Sequence, residues 1–288
     1  MRSKLFVPGS RPELFAKALA GDADAISFDV EDSVPEDGKV RAREQIADFL
    51  RSEAARESLR KSAKIIIVRI NALGSRHFEG DLMAFACPQV ALLNLPKAQV
   101  AADVQRAADA LERAEHRNGV SEPIRLLLNI ETPRAVRLAA EIADAHPRVA
   151  GLQLGLTDLF EQLHIDRRDA RSVHAGMFAV RLAGAETGRF AYDSAYPDIA
   201  DLDGFRREAE QARQLGYVGK SCVHPKQVGI ANEVFRVDEL DVVAAERIVD
   251  AAKAAALQGR GAFLLEGRMI DGPAIRRAEA VLAERRRG

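Results

Sequence analysis

Short apolar segments recur along the chain, and longer stretches with helical periodicity separate them. Uninterrupted apolar runs of this length are typical of strands that are buried on both faces. We assign eight of them, at residues 4–7, 24–29, 64–70, 90–95, 124–130, 149–155, 190–193 and 217–222. Alternation of strands with helices predicts a parallel sheet of the α/β class, and eight repeats predict its closure into a (β/α)8, or TIM, barrel. The alternative is a doubly wound open sheet, but no G-x-G-x-x-G sequence follows the first strand.

Several helical stretches carry recognisable start and stop signals. Pro12 and Pro133 suit the first turn of a helix, where the missing N–H is harmless. The Asp203-Gly204 pair is predicted to cap the helix that follows it, and Gly216 is predicted to stop that helix. The predicted barrel helices lie at residues 12–20, 38–50, 78–85, 99–116, 133–145, 169–187, 205–215 and 225–235.

A tail follows the last predicted barrel strand and helix. We predict a catalytic barrel at residues 1–235 and a C-terminal extension at residues 236–288. The extension contains a helical stretch at 239–257, a short extended run at 262–265 and a final helix from 273 to about 286. It is too small to hold its own core, so we expect it to pack on its own barrel or on a neighbouring subunit.

Composition narrows the class of protein. The 288 residues are 47% hydrophobic and include 42 basic and 43 acidic residues, for a net charge of -1. This balance gives no support for binding to nucleic acid or to a membrane surface. There is no apolar run long enough for a membrane span and no signal-peptide pattern at the N-terminus, which is typical of a cytoplasmic protein. The two cysteines, Cys87 and Cys222, lack metal-ligand spacing and are predicted to be reduced thiols.

Two carboxylates follow neighbouring predicted strands. Glu131 comes directly after the fifth strand, and Asp158 comes shortly after the sixth. Catalytic groups of such barrels sit on the loops at the carboxyl ends of the strands. Carboxylate oxygens with open water positions suit Mg²⁺ or Mn²⁺, so we predict a metal site here. The alternative for Glu131 is a first-turn carboxylate that is favoured by the helix dipole, and the alternative for Asp158 is a residue of the N-cap region before Leu159 and Phe160.

A cation and an acidic cluster follow two other strands. Arg69 ends the third strand and offers a planar fork to a substrate carboxylate, or it forms a structural ion pair inside the barrel. Asp29, Glu31 and Asp32 follow the second strand. They are predicted to hydrogen-bond metal-bound waters or to hold Arg69, with a solvated helix-capping loop as the alternative.

Other candidate binding residues follow the first, fourth and eighth strands. Lys97 is interpreted as a structural or phosphate-facing lysine, with a Schiff-base lysine as the alternative. Lys220, Ser221 and His224 follow the eighth strand, where barrels often bind phosphate groups. Gly9, after the first strand, is a weak signal for a phosphate loop.

Eight sequence segments, in this order, carry a family resemblance. They are LFVPG at 5–9, DVEDSV at 29–34, VRIN at 68–71, LPK at 95–97, IET at 130–132, GLTDL at 155–159, GKSCVHPKQ at 219–227 and GRMIDGP at 267–273. Together they resemble the citrate lyase beta-subunit-like family of the aldolase/citrate lyase superfamily. The likeness extends over nearly the whole chain.

The resemblance implies a trimer-forming or hexameric barrel that binds Mg²⁺ and acts on acyl thioesters. It implies that Glu131 and Asp158 bind the metal and that Arg69 holds the carboxylate of the oxo acid. The C-terminal segment is implied to bring Asp271 into the site of a neighbouring subunit. The loop from Lys220 to His224 is implied to lie near the coenzyme A tail.

These interpretations assign a role to each candidate residue. The predicted catalytic residues are Asp271, Arg69 and Glu31, and the predicted metal ligands are Glu131 and Asp158. The predicted substrate contacts are Arg69, Gly9, Lys220 and His224, and the predicted contacts with the cofactor are Lys220 and Ser221.

The function predicted on this basis is a metal-dependent carbon–carbon lyase. It would cleave a citryl, malyl or citramalyl thioester of coenzyme A, or of an acyl-carrier partner, to acetyl-CoA and a 2-oxo acid. Mg²⁺ is the expected ion, with Mn²⁺ as an alternative. Two other functions stay open: a malyl-CoA-type thioesterase, and a subunit of a citrate lyase complex that depends on an acyl-carrier protein.

Overall fold

Eight parallel strands form one sheet in the computed structural model, which describes residues 1–285. The strands, β1 to β8, are Ser3–Pro8, Ala25–Asp29, Ile65–Arg69, Leu92–Leu95, Arg125–Ile130, Val149–Leu154, Phe190–Tyr192 and Lys220–Cys222. From β1 to β7 each strand pairs with its neighbour in sequence, and β1 also pairs with β8. The predicted TIM barrel is confirmed.

The seam between β7 and β8 is the shortest contact in the ring. Each of these strands has three residues, and a parallel bridge between Asp193 and Lys220 joins them. Two hydrogen bonds support the bridge: Asp193 N–H donates to the carbonyl of Gly219 at 2.9 Å, and Ser221 N–H donates to the carbonyl of Asp193 at 3.2 Å. The barrel therefore closes through few backbone hydrogen bonds.

Helices surround the strands along the first 235 residues. They are α1 to α11: Phe15–Ala20, Lys39–Arg51, Glu53–Lys61, Phe78–Phe85, Ala101–Asn118, Pro133–Arg137, Ala139–Asp144, Leu156–Leu163, Ala170–Glu186, Leu202–Gln214 and Pro225–Val234. Pro12–Leu14 and Glu36–Gly38 form single 3-10 turns. Among residues 1–285, no helix combines the length and the apolar character that a membrane span requires.

The sequence prediction missed two of these helices. Glu53–Lys61 is short and strongly charged and buries only Ala55 fully, so its narrow apolar face is easily overlooked, and its clearest start signal is the Ser52 side chain that caps it. Leu156–Leu163 begins directly after β6, where the continuous apolar run conceals the change from strand to helix.

Two helix boundaries also differ from the prediction. The predicted helix at 133–145 is divided at Leu138 into two short helices. The cap of α10 is Asp201, whose side chain accepts the N–H of Gly204 at 2.8 Å, rather than Asp203. The helix therefore begins earlier than predicted. Gly216, at φ +83°, follows its end as expected.

The core has two layers that follow the alternation of side chains along each strand. Residues such as Ile26 and Phe28 point outward and pack against the helices. A smaller apolar cluster fills the lower part of the barrel interior and consists of Ala25, Ile67, Leu92, Leu127 and Ala150. Above it, the inward positions become polar, and Asp29, Arg69 and Asn94 occupy the ends of their strands. This change of polarity places charged groups at the carboxyl rim.

Lys4 is an unusual member of the barrel interior. Its side chain is fully buried, and the ammonium lies 4.3 Å from the ring centroid of Phe6 and 5.5 Å from that of Tyr192. Its hydrogen bond goes to the side-chain oxygen of Gln153, and it has no carboxylate partner among the ion pairs of the described residues. Burial lowers the pKa of Lys4 well below its ordinary value, and the charge of Arg69 lowers it further.

Both cysteines are free, as predicted, and the structure shows that both are buried. Cys87 and Cys222 belong to the layer between strands and helices. Burial raises the pKa of Cys222 to about 12, so this thiol is protonated and unreactive at neutral pH.

The chain from Arg236 onward forms a second compact unit. It contains the helix Glu239–Leu257 (α12), the hairpin of Phe263–Leu265 (β9) with Arg268–Ile270 (β10), and the helix Gly272–Arg285 (α13), and the two helices pack on each other. The predicted extended run is thus one arm of a hairpin, whose turn is formed by two residues at positive φ, Glu266 and Gly267. The predicted extension and its final helix include residues 286–288, which lie outside the described residues.

Replacing Lys4 with Met is expected to stabilise the protein. Met keeps the volume of the buried stem and removes an amine that must be kept neutral or buried as an unpaired charge. Loss of the hydrogen bond to Gln153 offsets part of this gain, so we expect a net gain of about 1 kcal/mol at pH 7. Urea denaturation of the wild type and of Lys4→Met measures this gain. Lys61→Met, at an exposed position, is the control and should change stability by about 0.5 kcal/mol or less.

The stability difference between Lys4→Met and the wild type should also depend on pH. The folded pKa of Lys4 lies below the unfolded value, so the unfolded chain binds more protons, and wild-type stability rises as pH approaches about 10. The advantage of Lys4→Met should therefore shrink between pH 7 and pH 10. A lower stability of Lys4→Met at pH 7 would contradict this account.

Candidate active site

Asp29 and Arg69 form a two-point ion pair at the carboxyl rim. The Arg69 Nε donates to Asp29 Oδ1 at 2.8 Å, and Nη2 donates to Oδ2 at 2.7 Å. The same carboxylate accepts the backbone N–H groups of Glu31 and Ser33 at 2.9 and 3.2 Å. Burial opposes the charge on Asp29, but the attraction of Arg69 outweighs it and lowers the pKa of Asp29.

The remaining N–H groups of Arg69 face an acidic turn. Asp29 uses two of the five guanidinium N–H groups, and Nη1 lies 3.1 Å from Glu31 Oε2 and 3.5 Å from Asp32 Oδ2. The guanidinium also lies 5.1 Å from the ring centroid of Phe6. Arg69 therefore forms the structural ion pair that the sequence left open, and it keeps donors on Nη1 and Nη2 near the rim.

Glu31 and Asp32 differ in their exposure. The side chain of Glu31 is buried, whereas that of Asp32 is about half exposed. Burial raises the pKa of Glu31 to about 7, although the charge of Arg69 opposes this shift. Glu31 is thus placed beside Arg69, as the sequence analysis predicted for the acidic cluster.

Lys97 links this acidic turn to Glu131. Its ammonium lies 2.5 Å from Glu31 Oε1 and 3.2 Å from Asp32 Oδ1, and its backbone N–H donates to Glu131 Oε1 at 2.7 Å. Lys97 has φ +56°, in the left-handed region that a non-glycine residue seldom adopts. Although burial opposes its charge, the hydrogen bond and charge of Glu31 raise the pKa of Lys97.

Glu131 is oriented by amide groups on the barrel interior. Its Oε2 accepts a hydrogen bond from the Asn129 side-chain amide at 3.0 Å, and the Asn129 oxygen accepts one from the Asn94 amide at 2.8 Å. Burial and the nearby charge of Asp158 raise the pKa of Glu131 to about 7. Glu131 is therefore held in one orientation by neutral donors.

Asp158 lies in the first turn of α8 and is half-buried. Burial and the charge of Asp32 raise the pKa of Asp158, so these carboxylates are close enough to repel one another. Within the described residues, neither Glu131 nor Asp158 forms an ion pair with a basic side chain. Two neighbouring carboxylates without a cation between them fit a divalent metal ion.

The donor set at this position suits one class of metal in particular. Within residues 1–285, no group of three or more His, Cys, Asp or Glu side chains is arranged to enclose a metal ion. Mg²⁺ is usually bound through one or two carboxylates, with water or substrate oxygens at its other positions. Glu131 and Asp158 match that requirement and do not match a closed zinc site.

Gly155 makes room for the Glu131 side chain. A Cβ at this position would lie 2.5 Å from Glu131 Cβ and 2.8 Å from Glu131 Oε2. Both distances are shorter than van der Waals contact, so any larger residue would displace the carboxylate. The glycine is needed for a close approach rather than for a special backbone angle, because its φ is -110°.

Gly9 has a packing role in this structure. Its N–H donates to the carbonyl of Asp29 at 2.8 Å, and a Cβ would lie 2.8 Å from Ile46 Cδ1. The predicted substrate contact of Gly9 therefore cannot use its N–H group. The glycine instead allows the loop after β1 to approach β2 and α2.

The predicted contacts of Lys220 with substrate and of Lys220 and Ser221 with the cofactor are not compatible with the burial of both side chains. Lys220 is fully buried, and its ammonium contacts Asp193 Oδ2 and Glu208 Oε1, each at 2.6 Å, and the carbonyl of Ser194 at 3.1 Å. All three of its donors are satisfied inside the protein. The Ser221 hydroxyl is also buried and donates to the carbonyl of Asp193 at 3.0 Å. Neither side chain presents a free donor to a substrate or to coenzyme A.

His224 and Asp271 both cap helices. His224 is half-buried, and its Nδ1 accepts the N–H of Lys226 at 3.2 Å at the start of α11. Asp271 belongs to the second unit, where its Oδ1 accepts the N–H of Ala274 at 3.4 Å at the start of α13. The predicted contacts of His224 with substrate and of Asp271 with a neighbouring site stay predictions.

Three residues of this site have more contacts than their sequence context indicates. Lys97 was recognised as a strand-end lysine, but its contacts with two different strand ends depend on the closed ring. Asn94 and Asn129 are polar residues inside apolar strands, which is the signal that could have identified them. A buried polar residue requires a partner, and both residues lie below Glu131.

A family model matches most of the chain, and several known proteins match nearly all of it. Residues 2–225 match the family described as HpcH/HpaI aldolase/citrate lyase. A (3S)-malyl-CoA thioesterase of Cereibacter sphaeroides is 34% identical over 284 residues, covering 98% of this chain and 94% of the relative. An L-malyl-CoA/beta-methylmalyl-CoA lyase of the same species is also 34% identical, over 305 residues, with the same coverage of each chain.

A solved structure extends the similarity to the fold. The protein CitE from Mycobacterium tuberculosis, in complex with magnesium, acetoacetate and coenzyme A, matches with a TM-score of 0.77 and 32% identity, and the match covers 98% of both chains. The family model spans most of the sequence, and both relatives exceed 30% identity over nearly all of it. The chain therefore belongs to the HpcH/HpaI aldolase/citrate lyase family.

Proposed function

We propose that this protein is a Mg²⁺-dependent carbon–carbon lyase that cleaves a 3-hydroxyacyl thioester to acetyl-CoA and a 2-oxo acid. The thioester would be of the malyl, citramalyl or citryl type. The observation that carries the proposal is the pair formed by Glu131 and Asp158, two carboxylates without a basic partner in the described chain, on the rim that also holds Arg69. Membership of the family and the similarity to a protein complexed with magnesium and coenzyme A support it.

Glu131 and Asp158 would hold the metal ion, with Mn²⁺ as an alternative to Mg²⁺. The ion would supply Lewis-acid polarisation of the substrate oxygens and would act as a template for binding. The Asn129 amide and the Lys97 N–H fix the Glu131 carboxylate, so the ligand set is oriented before substrate binds.

Arg69 would bind the carboxylate of the substrate. Asp29 holds one edge of the guanidinium, which leaves donors on Nη1 and Nη2 for a carboxylate at the rim. Because the side chain is largely buried, this interaction is stronger than it would be in water. The carboxylate would have to share Nη1 with Glu31, so binding involves an exchange of partners.

The bond that breaks joins the hydroxyl-bearing carbon to the carbon next to the thioester. Transfer of the hydroxyl proton to a base converts that carbon into the carbonyl group of the 2-oxo acid, and the bonding electrons pass to the thioester as its enolate. The enolate then takes up a proton to give the acetyl thioester. We assign that proton to Asp271 of a neighbouring subunit in a trimer or hexamer, acting as a general acid.

Two alternative functions have specific support. The thioesterase and the lyase of Cereibacter sphaeroides are equally similar to this chain, so identity alone does not separate hydrolysis from cleavage of a carbon–carbon bond. The description of the family also names citrate lyase. The second alternative is therefore a citrate lyase subunit whose substrate is carried by an acyl-carrier protein.

A coupled assay separates these functions. Purified protein is incubated with malyl-, citramalyl- or citryl-CoA, or with the matching thioesters of an acyl-carrier protein, with Mg²⁺ or with EDTA, and the acetyl thioester, free CoA and 2-oxo acid are measured. Mg²⁺-dependent release of acetyl-CoA and oxo acid in equal amounts supports the lyase. Free CoA without oxo acid identifies a thioesterase, and activity only on carrier-bound substrates identifies the carrier-dependent subunit.

Substitution of Glu131 with Gln should weaken metal binding and activity together. The neutral amide keeps the shape of the side chain and removes one of two anionic ligands, so we expect turnover to fall about 10³-fold or more. Calorimetric titration with Mg²⁺ measures the loss of binding directly. Glu141→Gln, at an exposed position on α7, is the control, and unchanged Mg²⁺ affinity of Glu131→Gln would rule out this ligand.

Replacing Gly155 with Ala should have a similar but smaller effect. The added methyl group overlaps Glu131, so we expect metal affinity to fall about 10–100-fold and stability to fall by about 1–3 kcal/mol. The control is Gly229→Ala in α11, where a Cβ meets no atom within 4 Å. If both variants bound Mg²⁺ equally well, the close approach to Glu131 would have no role in the site.

Replacing Asp271 with Ala should lower turnover without changing Mg²⁺ affinity. Loss of a general acid costs about 10²–10⁴-fold in rate. Asp250→Ala, at an exposed position of the same unit, is the control. Mixing Asp271→Ala subunits with Glu131→Ala subunits should restore part of the activity, because one mixed site then has both groups. Absence of any rescue in mixed oligomers would place Asp271 outside the neighbouring site.

A further inference from the structure

We propose that Lys97 is a positioning residue that directs the divalent cation to Glu131 and Asp158 by occupying the competing carboxylates Glu31 and Asp32. The inference rests on the proposed function, because it concerns the metal ion of that site. The proposed role of Lys97 is to determine which carboxylates bind the ion, which goes beyond the role of a purely structural residue.

The contacts of Lys97 separate the rim carboxylates into two groups. Its ammonium lies 2.5 Å from Glu31 and 3.2 Å from Asp32, while its backbone N–H donates to Glu131 at 2.7 Å. One residue therefore neutralises the first group through its side chain and orients the second through its main chain. In the described residues, Glu131 accepts hydrogen bonds only from neutral donors, and no basic side chain is paired with its carboxylate.

The balance of charge makes this separation necessary. Five carboxylates, Asp29, Glu31, Asp32, Glu131 and Asp158, share the two cations Arg69 and Lys97. Asp29 occupies one edge of Arg69, so Glu31 and Asp32 depend on Nη1 of Arg69 and on the lysine. Without the ammonium, Glu31 and Asp32 would form a second acidic pair, and oxygen ligands of this kind attract the same ions.

The backbone of Lys97 supports a functional requirement for the side chain. At φ +56°, glycine is the favoured residue, and lysine is strained. Residues in such conformations concentrate at functional sites, where the surrounding structure holds them in place. The backbone at this position favours glycine, and lysine differs from glycine here by the ammonium group that it supplies to Glu31 and Asp32.

The test compares Mn²⁺ binding in two backgrounds. Wild type, Glu131→Gln, Lys97→Gly and the double variant Lys97→Gly/Glu131→Gln are titrated with Mn²⁺ by calorimetry. Glycine keeps the N–H that contacts Glu131 and tolerates the positive φ, so the variant removes the side chain with its ammonium and preserves the main-chain contact. We expect Glu131→Gln to abolish Mn²⁺ binding in the wild-type background, and the double variant to bind Mn²⁺ within about 10-fold of the affinity of Lys97→Gly, through Glu31 and Asp32.

If Glu131→Gln abolished Mn²⁺ binding both in the wild type and in Lys97→Gly, the proposed role of Lys97 would be wrong. The proposed metal site would then remain supported. Absence of Mn²⁺ binding by the wild type would overturn the proposed site and this inference together. Lys97→Arg, which keeps the positive charge, should behave like the wild type. Turnover of Lys97→Gly should fall about 10²-fold, because the ion is no longer held at the substrate.

Two further variants control for folding. His164→Gly replaces another non-glycine residue at positive φ, 53°, on the exposed end of α8, and it should leave Mn²⁺ binding unchanged. Lys97→Met removes the ammonium and keeps the strained backbone, and it should reproduce the binding behaviour of Lys97→Gly. Wild-type Mn²⁺ behaviour of Lys97→Met would contradict the proposal even if Lys97→Gly failed to fold.

Discussion

The ion pair between Asp29 and Arg69 organises the carboxyl rim of this barrel. One carboxylate holds the guanidinium at two points, accepts two backbone N–H groups from the turn that follows, and thereby fixes the positions of Glu31 and Asp32. A buried arginine without this partner would be strongly destabilising, so the pair is a requirement of the fold as well as of the site. The other charged groups of the rim are arranged around it.

The rim carries more negative charge than its own cations can neutralise. Such an arrangement is unfavourable for folding, since Glu131 and Asp158 are charged groups that lose water and repel each other. Proteins retain this kind of destabilisation where binding of a ligand relieves it. A divalent cation and the basic groups of the rim together would form a binding region for an anionic thioester, which is the chemistry typical of the family to which the chain belongs.

The sequence predicted the fold and the rim correctly where the chemical character of a residue alone determines whether it is buried or lies at the edge of the sheet. Continuous apolar strands that end in charged residues predicted the barrel and the rim, because a strand buried on both faces places its last residue at the edge of the sheet. Roles that depend on partners distant in sequence were not predictable in the same way. Lys220 looks like a surface lysine in a phosphate loop, yet Asp193 and Glu208 bury it. Glu53–Lys61 was missed because it is short, highly charged and buries only one residue fully.

Closure of the barrel by β8, which pairs with β1 and forms the short seam with β7, has a consequence for the synthesis of the protein. The first strand must find its second partner more than 200 residues later, when Ser3 pairs with Lys220. Until that point the growing chain carries an open sheet with two unpaired edges, which are prone to association with other chains. Lys220 reaches its two carboxylates only in the closed ring, and outside it the ammonium remains in water. Pairing of the last barrel strand thus removes the exposed edges of the sheet, and a nascent chain that stalls before residue 220 remains prone to aggregation.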